Sequence, residues 1–268
     1  MGNMANLQQI KALFLDMDGV LWEGSNPIGD LDRIFRKIAQ LGIQPFFGTN
    51  NATRTPEMYR DHLTTFGVKI IPEQVITPAV GAVHVFRERF PENPRIHIFG
   101  SPALKAFFTA EGFELVDQDA DIVLVSLDRE MTYQKVQTAM HLIQQGAIFY
   151  ATNLDTVIAS ENGFQPGGGV MVKAVQTCTG VEPIVIGKPN PLMIDLIRAK
   201  HGLQSNEIMA VGDRYDTDIL GGINAGSPTA LVLTGVDSEA SIRNYKDQPN
   251  LICEDLEAVV DTLALSRM

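Results

Sequence analysis

The chain has 268 residues, 45% of them hydrophobic and 20% charged, ordinary globular usage with room for one large domain or two smaller ones. Collagen, coiled coil and wholesale disorder are excluded by that composition. Acidic residues outnumber basic ones by 32 to 21, a formal charge of −11, and no Lys/Arg-rich run interrupts it, which excludes nucleic-acid binding through bulk charge.

From the N-terminus, Met1 to Asn6 lack the basic and apolar regions of a signal peptide, and Asn6 stands where a myristoylation motif wants Ser or Thr. No apolar run reaches the roughly 18 residues that a membrane span needs. Cys178 and Cys253 lie far apart, without metal-ligand spacing or a disulfide framework. The expectation is a cytoplasmic protein with no membrane partner.

Short β-rich apolar runs alternate with helix-period segments, the pattern of repeated βα units around parallel sheets. Lys11 to Asp16 reads as a buried strand. Leu31, Ile34, Phe35, Ile38 and Leu41 form a helical stripe that Gly42 ends. Ile43 to Thr49 is a second strand, and Thr55-Pro56-Glu57 opens the next helix. Strands follow at Arg95 to Gly100, Asp121 to Leu127 and Ile148 to Thr152, with a helix at Tyr133 to Gln145. A last block holds Ile184 to Gly187, a helix from Pro191 to Lys200, Ile208 to Asp213, a helix from about Thr217, and Thr229 to Leu233. The fold class is α/β: a Rossmann-like parallel-sheet core domain, residues 1–79 plus 183–268, with an inserted smaller α/β domain at 80–182.

Ligands of open α/β sheets collect beyond the carboxyl ends of the strands. Four such ends are polar: Asp16-Met-Asp18-Gly-Val, Gly48-Thr49-Asn50-Asn51, Gly187-Lys188-Pro189, and Gly212-Asp213-Arg-Tyr-Asp216-Thr-Asp218. Taken singly, each is a turn. Taken together, they bring Asp16, Asp18 and Asp213 toward one point with little basic compensation. Two carboxylates about 4 Å apart repel by ~4 kcal/mol at an effective dielectric near 20, and a bound cation relieves this. Oxygen ligands with positions spare for water and phosphate suit Mg²⁺ better than Zn²⁺. Lys188 and the Thr49 hydroxyl would hold an anion beside it. Such a site fits a phosphate ester: Asp16, rigid at the strand end, is the nucleophile, and Asp18, in the turn, is the acid/base.

The set DMDGV, TNN, GKP and GDRYDTD, in this order, closely resembles the four motifs of the haloacid-dehalogenase-like phosphatases, over roughly Lys11 to Gly235. The insert between the second and third motifs, ending in Pro166-Gly-Gly-Gly169 and Val170 to Thr179, is similar to that of subfamily IIA. The resemblance implies a phospho-aspartyl intermediate on Asp16, and an acid/base role for Asp18, whose backbone carbonyl also meets Mg²⁺. It makes Asp213 a metal ligand, Asp218 its supporting acid, and Thr49, Asn50 and Lys188 the phosphoryl-binding residues. Asn51 either joins them or closes an Asx turn. The insert becomes a cap that selects a small phosphate ester, and copies pair through it as homodimers.

Other readings stand beside these. Asp218 could cap its helix start. Asp216 reads as exposed. Trp22 packs or lines the site, with packing expected. The five histidines show no paired metal spacing. Gly167 to Gly169 read as a permissive turn, which the resemblance places near substrate with Asn153-Leu154-Asp155. Among functions, a phosphotransferase would use the same residues, and a non-catalytic phosphometabolite-binding protein stays open. A carbon–halogen hydrolase needs no Asp18, and a phospho-receiver module is about half this length.

Overall fold

The computed structural model describes residues 7–160 and 163–268, so the leader reading of Met1 to Asn6 lies outside the described residues. The chain divides into two compact units. The first holds the described residues up to Thr49, Pro56–Ile76 and Lys188–Met268; the second holds Asn50–Thr55 and Thr77–Gly187.

Six parallel strands build the first unit, in the order Leu251–Cys253, Thr229–Val232, Ile208–Gly212, Ala12–Leu15, Gln44–Gly48 and Val75–Ile76. From Ala12–Leu15 the chain steps outward on one side, then returns to fill the other. That strand therefore sits at the topological switch point, where crevices form in such sheets. Its four residues are all buried, the continuous apolar run expected of a strand covered on both faces. Leu15, Phe47, Val211 and Val232 share one core with Met17, Leu21 and Trp22.

The stripe predicted from Leu31 to Leu41 is a helix over Leu31–Gln40, with Leu31, Ile34 and Ile38 buried. Asp30 caps it by accepting the Arg33 N–H at 3.1 Å, and Phe35 stacks on Phe47. On its outer face Lys37 pairs with Glu257 and Asp261 of the Leu256–Leu265 helix, an element that strand-and-turn reading did not foresee.

The second unit has its own parallel sheet, ordered Ile184–Val185, Ile148–Ala151, Ile122–Val125, Arg95–Phe99 and Glu114–Leu115. Ile184–Val185 pairs with Tyr150–Ala151, so the chain rejoins the first unit at Lys188 rather than at residue 183. At the other junction Thr77 caps the Pro78–Arg89 helix, which belongs whole to the second unit. Composition does not change at either place; strand pairing sets both.

One expectation here is corrected. Gly168 and Gly169 are not a permissive turn but the first residues of the Gly168–Thr179 helix, with Gly167 at its N-cap. A Cβ on Gly167 would lie 2.1 Å from the Asp155 carbonyl oxygen, and one on Gly169 2.2 Å from that of Leu154, so the helix start rests on the Leu154–Asp155 backbone. A helix at Pro102–Ala110, capped by Ser101, also went unread. Among the described residues no helix is long and apolar enough to cross a membrane. Cys178 and Cys253 are both free thiols.

Leu15 is 0% exposed in the central strand. Leu15→Ala is expected to lower unfolding free energy by about 2–5 kcal/mol in urea titrations, through lost burial and the cavity left behind. A loss below about 1 kcal/mol would mean that this strand is not packed on both faces.

Candidate active site

Strand register assembles the site. Leu15 stands opposite both Phe47 and Val211, so Asp16, Gly48 and Gly212 end neighbouring strands at one level. The Asp16 N–H donates to the Val211 carbonyl at 2.9 Å, which fixes the backbone of the proposed nucleophile. Lys188 is 5% exposed. Its Nζ donates to Asp16 Oδ1 at 2.5 Å, Asp218 Oδ1 at 2.6 Å and the Gly48 carbonyl at 3.0 Å. An ammonium has three protons, and here each has an acceptor.

Asp213 follows the Ile208–Gly212 strand and its Oδ2 accepts the Val236 N–H at 2.8 Å. Gly19, at φ +82°, passes so close that a Cβ would sit 2.5 Å from Asp213 Oδ2. Only glycine combines that conformation with that approach. The Thr234 hydroxyl donates to the Gly19 carbonyl at 2.5 Å, pinning this turn. Asp218 rides on a π-helical turn, Tyr215–Ile219, that precedes the Leu220–Asn224 helix; irregular turns of this kind gather at functional sites. Its Oδ2 accepts the Arg214 N–H at 3.1 Å.

Asp16, Asp213 and Asp218 each offer a carboxylate oxygen within 4.8 Å of the others. Three carboxylates against one ammonium leave a net charge of −2 when all are ionised. Burial pushes the Asp16 carboxyl well above its ordinary range, with Asp218 and Asp213 adding to the push and Lys188 opposing it. Burial likewise raises Asp213 to about 6, helped by Asp218. Burial opposes the charge on Lys188, but Asp16 and Asp218 outweigh it and hold the lysine above its ordinary value. Acid and base shifting upward together mark a cluster short of positive charge. A hard divalent cation would supply what is missing, and the all-oxygen donor set suits one.

The predicted residues fall into two groups. Asp16, Asp213, Asp218 and Lys188 meet. Asp18 does not bring its carboxylate to the acidic cluster, contrary to the expected Asp16–Asp18–Asp213 convergence; Asp218 takes that place. Asp18 lies beyond the strand end, exposed, and its Oδ1 accepts the Trp22 indole N–H at 2.8 Å. Basic compensation is also greater than expected, since Lys188 lies inside the cluster. Asp218 pairs with Lys188 and accepts the Arg214 N–H of its own turn, the local role that its sequence position allowed. Thr49, at 3% exposed, ends the Gln44–Gly48 strand. Asn50 and Asn51 follow it into the second unit. There the Asn50 side-chain amide donates to Asp155 at 3.4 Å, and the Asn50 backbone carbonyl accepts from the Asn153 amide at 2.7 Å. Asn51 Oδ1 accepts both the N–H and the hydroxyl of Thr53, the Asx turn that its sequence allowed. Asp216 is exposed and pairs with Arg214. The Thr234–Val236 segment went unread, although it too is a polar, glycine-containing strand end.

Comparison with known proteins gives the family of the chain. A family model described as haloacid dehalogenase-like hydrolase matches residues 13–114, and a HAD-hydrolase-like model matches 185–259. The acid sugar phosphatase of Staphylococcus aureus is 33% identical over 258 residues, 96% of this chain and 99% of that protein. The 4-nitrophenylphosphatase structure from Thermotoga maritima superposes with TM-score 0.91 at 28% identity, covering 96% of this chain and 99% of that one. A glycerol phosphate phosphatase from Mycobacterium tuberculosis, solved with magnesium, gives TM-score 0.86 at 32% identity over 95% and 78%. The chain belongs to the haloacid dehalogenase-like hydrolases. Within them its place is among the phosphatases of subfamily IIA, as its motifs imply.

Asp213 carries a testable sign. A carboxyl held near 6 when folded and at its ordinary 3.8 when unfolded keeps its proton longer in the folded state. Its contribution to stability is therefore lost as pH rises from about 4 through about 6. Asp213→Asn, compared with the parent in metal-free buffer, is expected to gain relative stability across that window in urea titrations. A flat difference would refute the raised carboxyl.

Proposed function

We propose that the protein is a Mg²⁺-dependent phosphomonoester hydrolase, acting on a small phosphorylated metabolite through a phospho-aspartyl intermediate on Asp16. The supporting observation is the buried cluster that sets Asp16 against Lys188 and leaves a charge that a divalent cation would cancel. Asp16 and Asp213, with the Asp18 backbone carbonyl and Asp218 in support, would hold the ion, which supplies charge neutralisation at the phosphoryl oxygens. Thr49, Asn50, Asn51 and Lys188 are the proposed phosphoryl-binding residues.

In the first step an Asp16 carboxylate oxygen forms a bond to phosphorus as the bond to the leaving oxygen breaks, and Asp18 gives that oxygen its proton. Water then attacks phosphorus and yields its proton to Asp18. The Asp16–phosphorus bond breaks, and inorganic phosphate leaves with both carboxyl groups as they began. Lys188 keeps Asp16 in one orientation throughout.

The names of the relatives, sugar, glycerol and nitrophenyl phosphatases, favour a phosphate ester of a small hydroxylated carrier. We assign substrate selection to the unit of residues 77–187, and pairing of two copies to the same unit. Two free thiols fit a cytoplasmic setting.

Phosphate release from a panel of sugar, polyol, nucleotide and aryl phosphates under one Mg²⁺ condition tests the reading. EDTA is expected to stop turnover, and Asp16→Asn to lower kcat by at least ~10³-fold with the fold retained. Substantial hydrolysis by Asp16→Asn would eliminate the covalent route. Phosphate appearing on an added alcohol instead of free in solution would make the enzyme a phosphotransferase.

A further inference from the structure

Trp22 is the chain's sole tryptophan and is 1% exposed. It opens a two-stranded ribbon, Trp22–Glu23 with Asn26–Pro27, directly after the Asp16–Asp18 turn. Backbone bonds tie the two together: the Gly19 N–H donates to the Trp22 carbonyl at 2.8 Å, and the Trp22 N–H to the Met17 carbonyl at 3.3 Å. The indole meets the His62 ring edge-on at 4.8 Å between centroids and lies 6.2 Å from Phe66. Packing thus fixes the ring, and with it the direction of its N–H, which reaches Asp18 Oδ1 at 2.8 Å.

An indole nitrogen donates and never accepts. While this bond lasts, Asp18 Oδ1 presents a lone pair to Trp22, and because the carbonyl oxygen of a carboxylic acid is the stronger acceptor, the bond favours the proton on Oδ2. We propose that Trp22 is a positioning residue for the acid/base step: it stops rotation of the Asp18 carboxyl and reserves Oδ2 as the atom that gives the leaving oxygen its proton and recovers one from water. The inference rests on the acid/base reading of Asp18. Asp18 is exposed at the end of a turn, where a carboxyl otherwise rotates freely, whereas Trp22 belongs to the core of the unit. A rigid donor on a mobile acid converts many orientations into one, and that is how positioning raises a rate.

A tryptophan that only packs would affect every substrate alike. A tryptophan that orients the acid matters most where the leaving group needs a proton. Trp22→Phe keeps a ring against His62 and Phe66 and removes the N–H. In the Mg²⁺-loaded enzyme, kcat/KM is to be measured for glycerol phosphate, whose alkoxide requires protonation, and for 4-nitrophenyl phosphate, whose phenolate leaves without it. This parameter covers the step in which the leaving group departs. The ratio of alkyl to aryl kcat/KM is expected to fall at least about tenfold, within the ~10²–10⁴ that a positioned acid supplies. A ratio equal to that of the parent, whether or not both rates fall, overturns the proposal. Asp18→Asn in the same assay separates the two layers. If it leaves the ratio unmoved, the acid/base reading itself fails; if it lowers the ratio and Trp22→Phe does not, only the role of Trp22 fails. Should Trp22→Phe not fold, replacing this single tryptophan by its benzothiophene isostere removes the N–H at constant shape and answers the same question.

Discussion

A buried ammonium among carboxylates governs this site. Lys188 has almost no contact with solvent, and burial disfavours its charge; Asp16 and Asp218 outweigh that, and the Gly48 carbonyl accepts its third proton. In return Lys188 holds Asp16 and Asp218 in place. The arrangement remains short of positive charge because Asp213 adds a third carboxyl to the group. Such a cluster is poor at stabilising the fold when empty and well suited to a divalent cation and a phosphoryl group together.

That cluster follows from sheet topology. Parallel strands with aligned ends deliver Asp16, Gly48 and Gly212 to one level, with Thr49 and Asp213 one residue beyond it, and the switch point keeps both flanks of Asp16 open to neighbours from distant parts of the chain. The π-helical turn after Asp213 then swings Asp218 back under the strand end, where it both accepts the Arg214 N–H of its own turn and receives Lys188. Gly19 allows the first motif to pass against Asp213. Rigid strands and tight turns hold these side chains, and preorganised charge of that kind is the largest resource an enzyme has for stabilising a transferring phosphoryl group.

Asp16 and Asp18 are chemically alike and two residues apart, yet their surroundings differ. Asp16 is tied to a buried lysine within an acidic cluster, and Asp18 faces solvent with one oxygen held by an indole. Unlike environments are what allow neighbouring carboxyl groups to divide nucleophilic and proton-transfer work.

Much of this was legible in the amino-acid order, because it depends on local physics. Apolar runs announce covered strands, Gly42 ends a helix, and Asp, Asn, Gly and Lys at the strand ends mark chemistry, all from period and turn preference within a few residues. Other features depend on residues far apart in the chain. That Ile184–Val185 joins the second sheet, that Gly168 begins a helix against the Leu154–Asp155 backbone, and that Asp218 rather than Asp18 completes the acidic group all follow from pairing and packing that no short window contains. The sequence by itself determined which side chains are available and which ends of which strands carry them, since those depend on neighbours along the chain. Only the tertiary structure decided which oxygen meets which proton, because strand register and core packing orient each carboxylate, and both are properties of the whole fold.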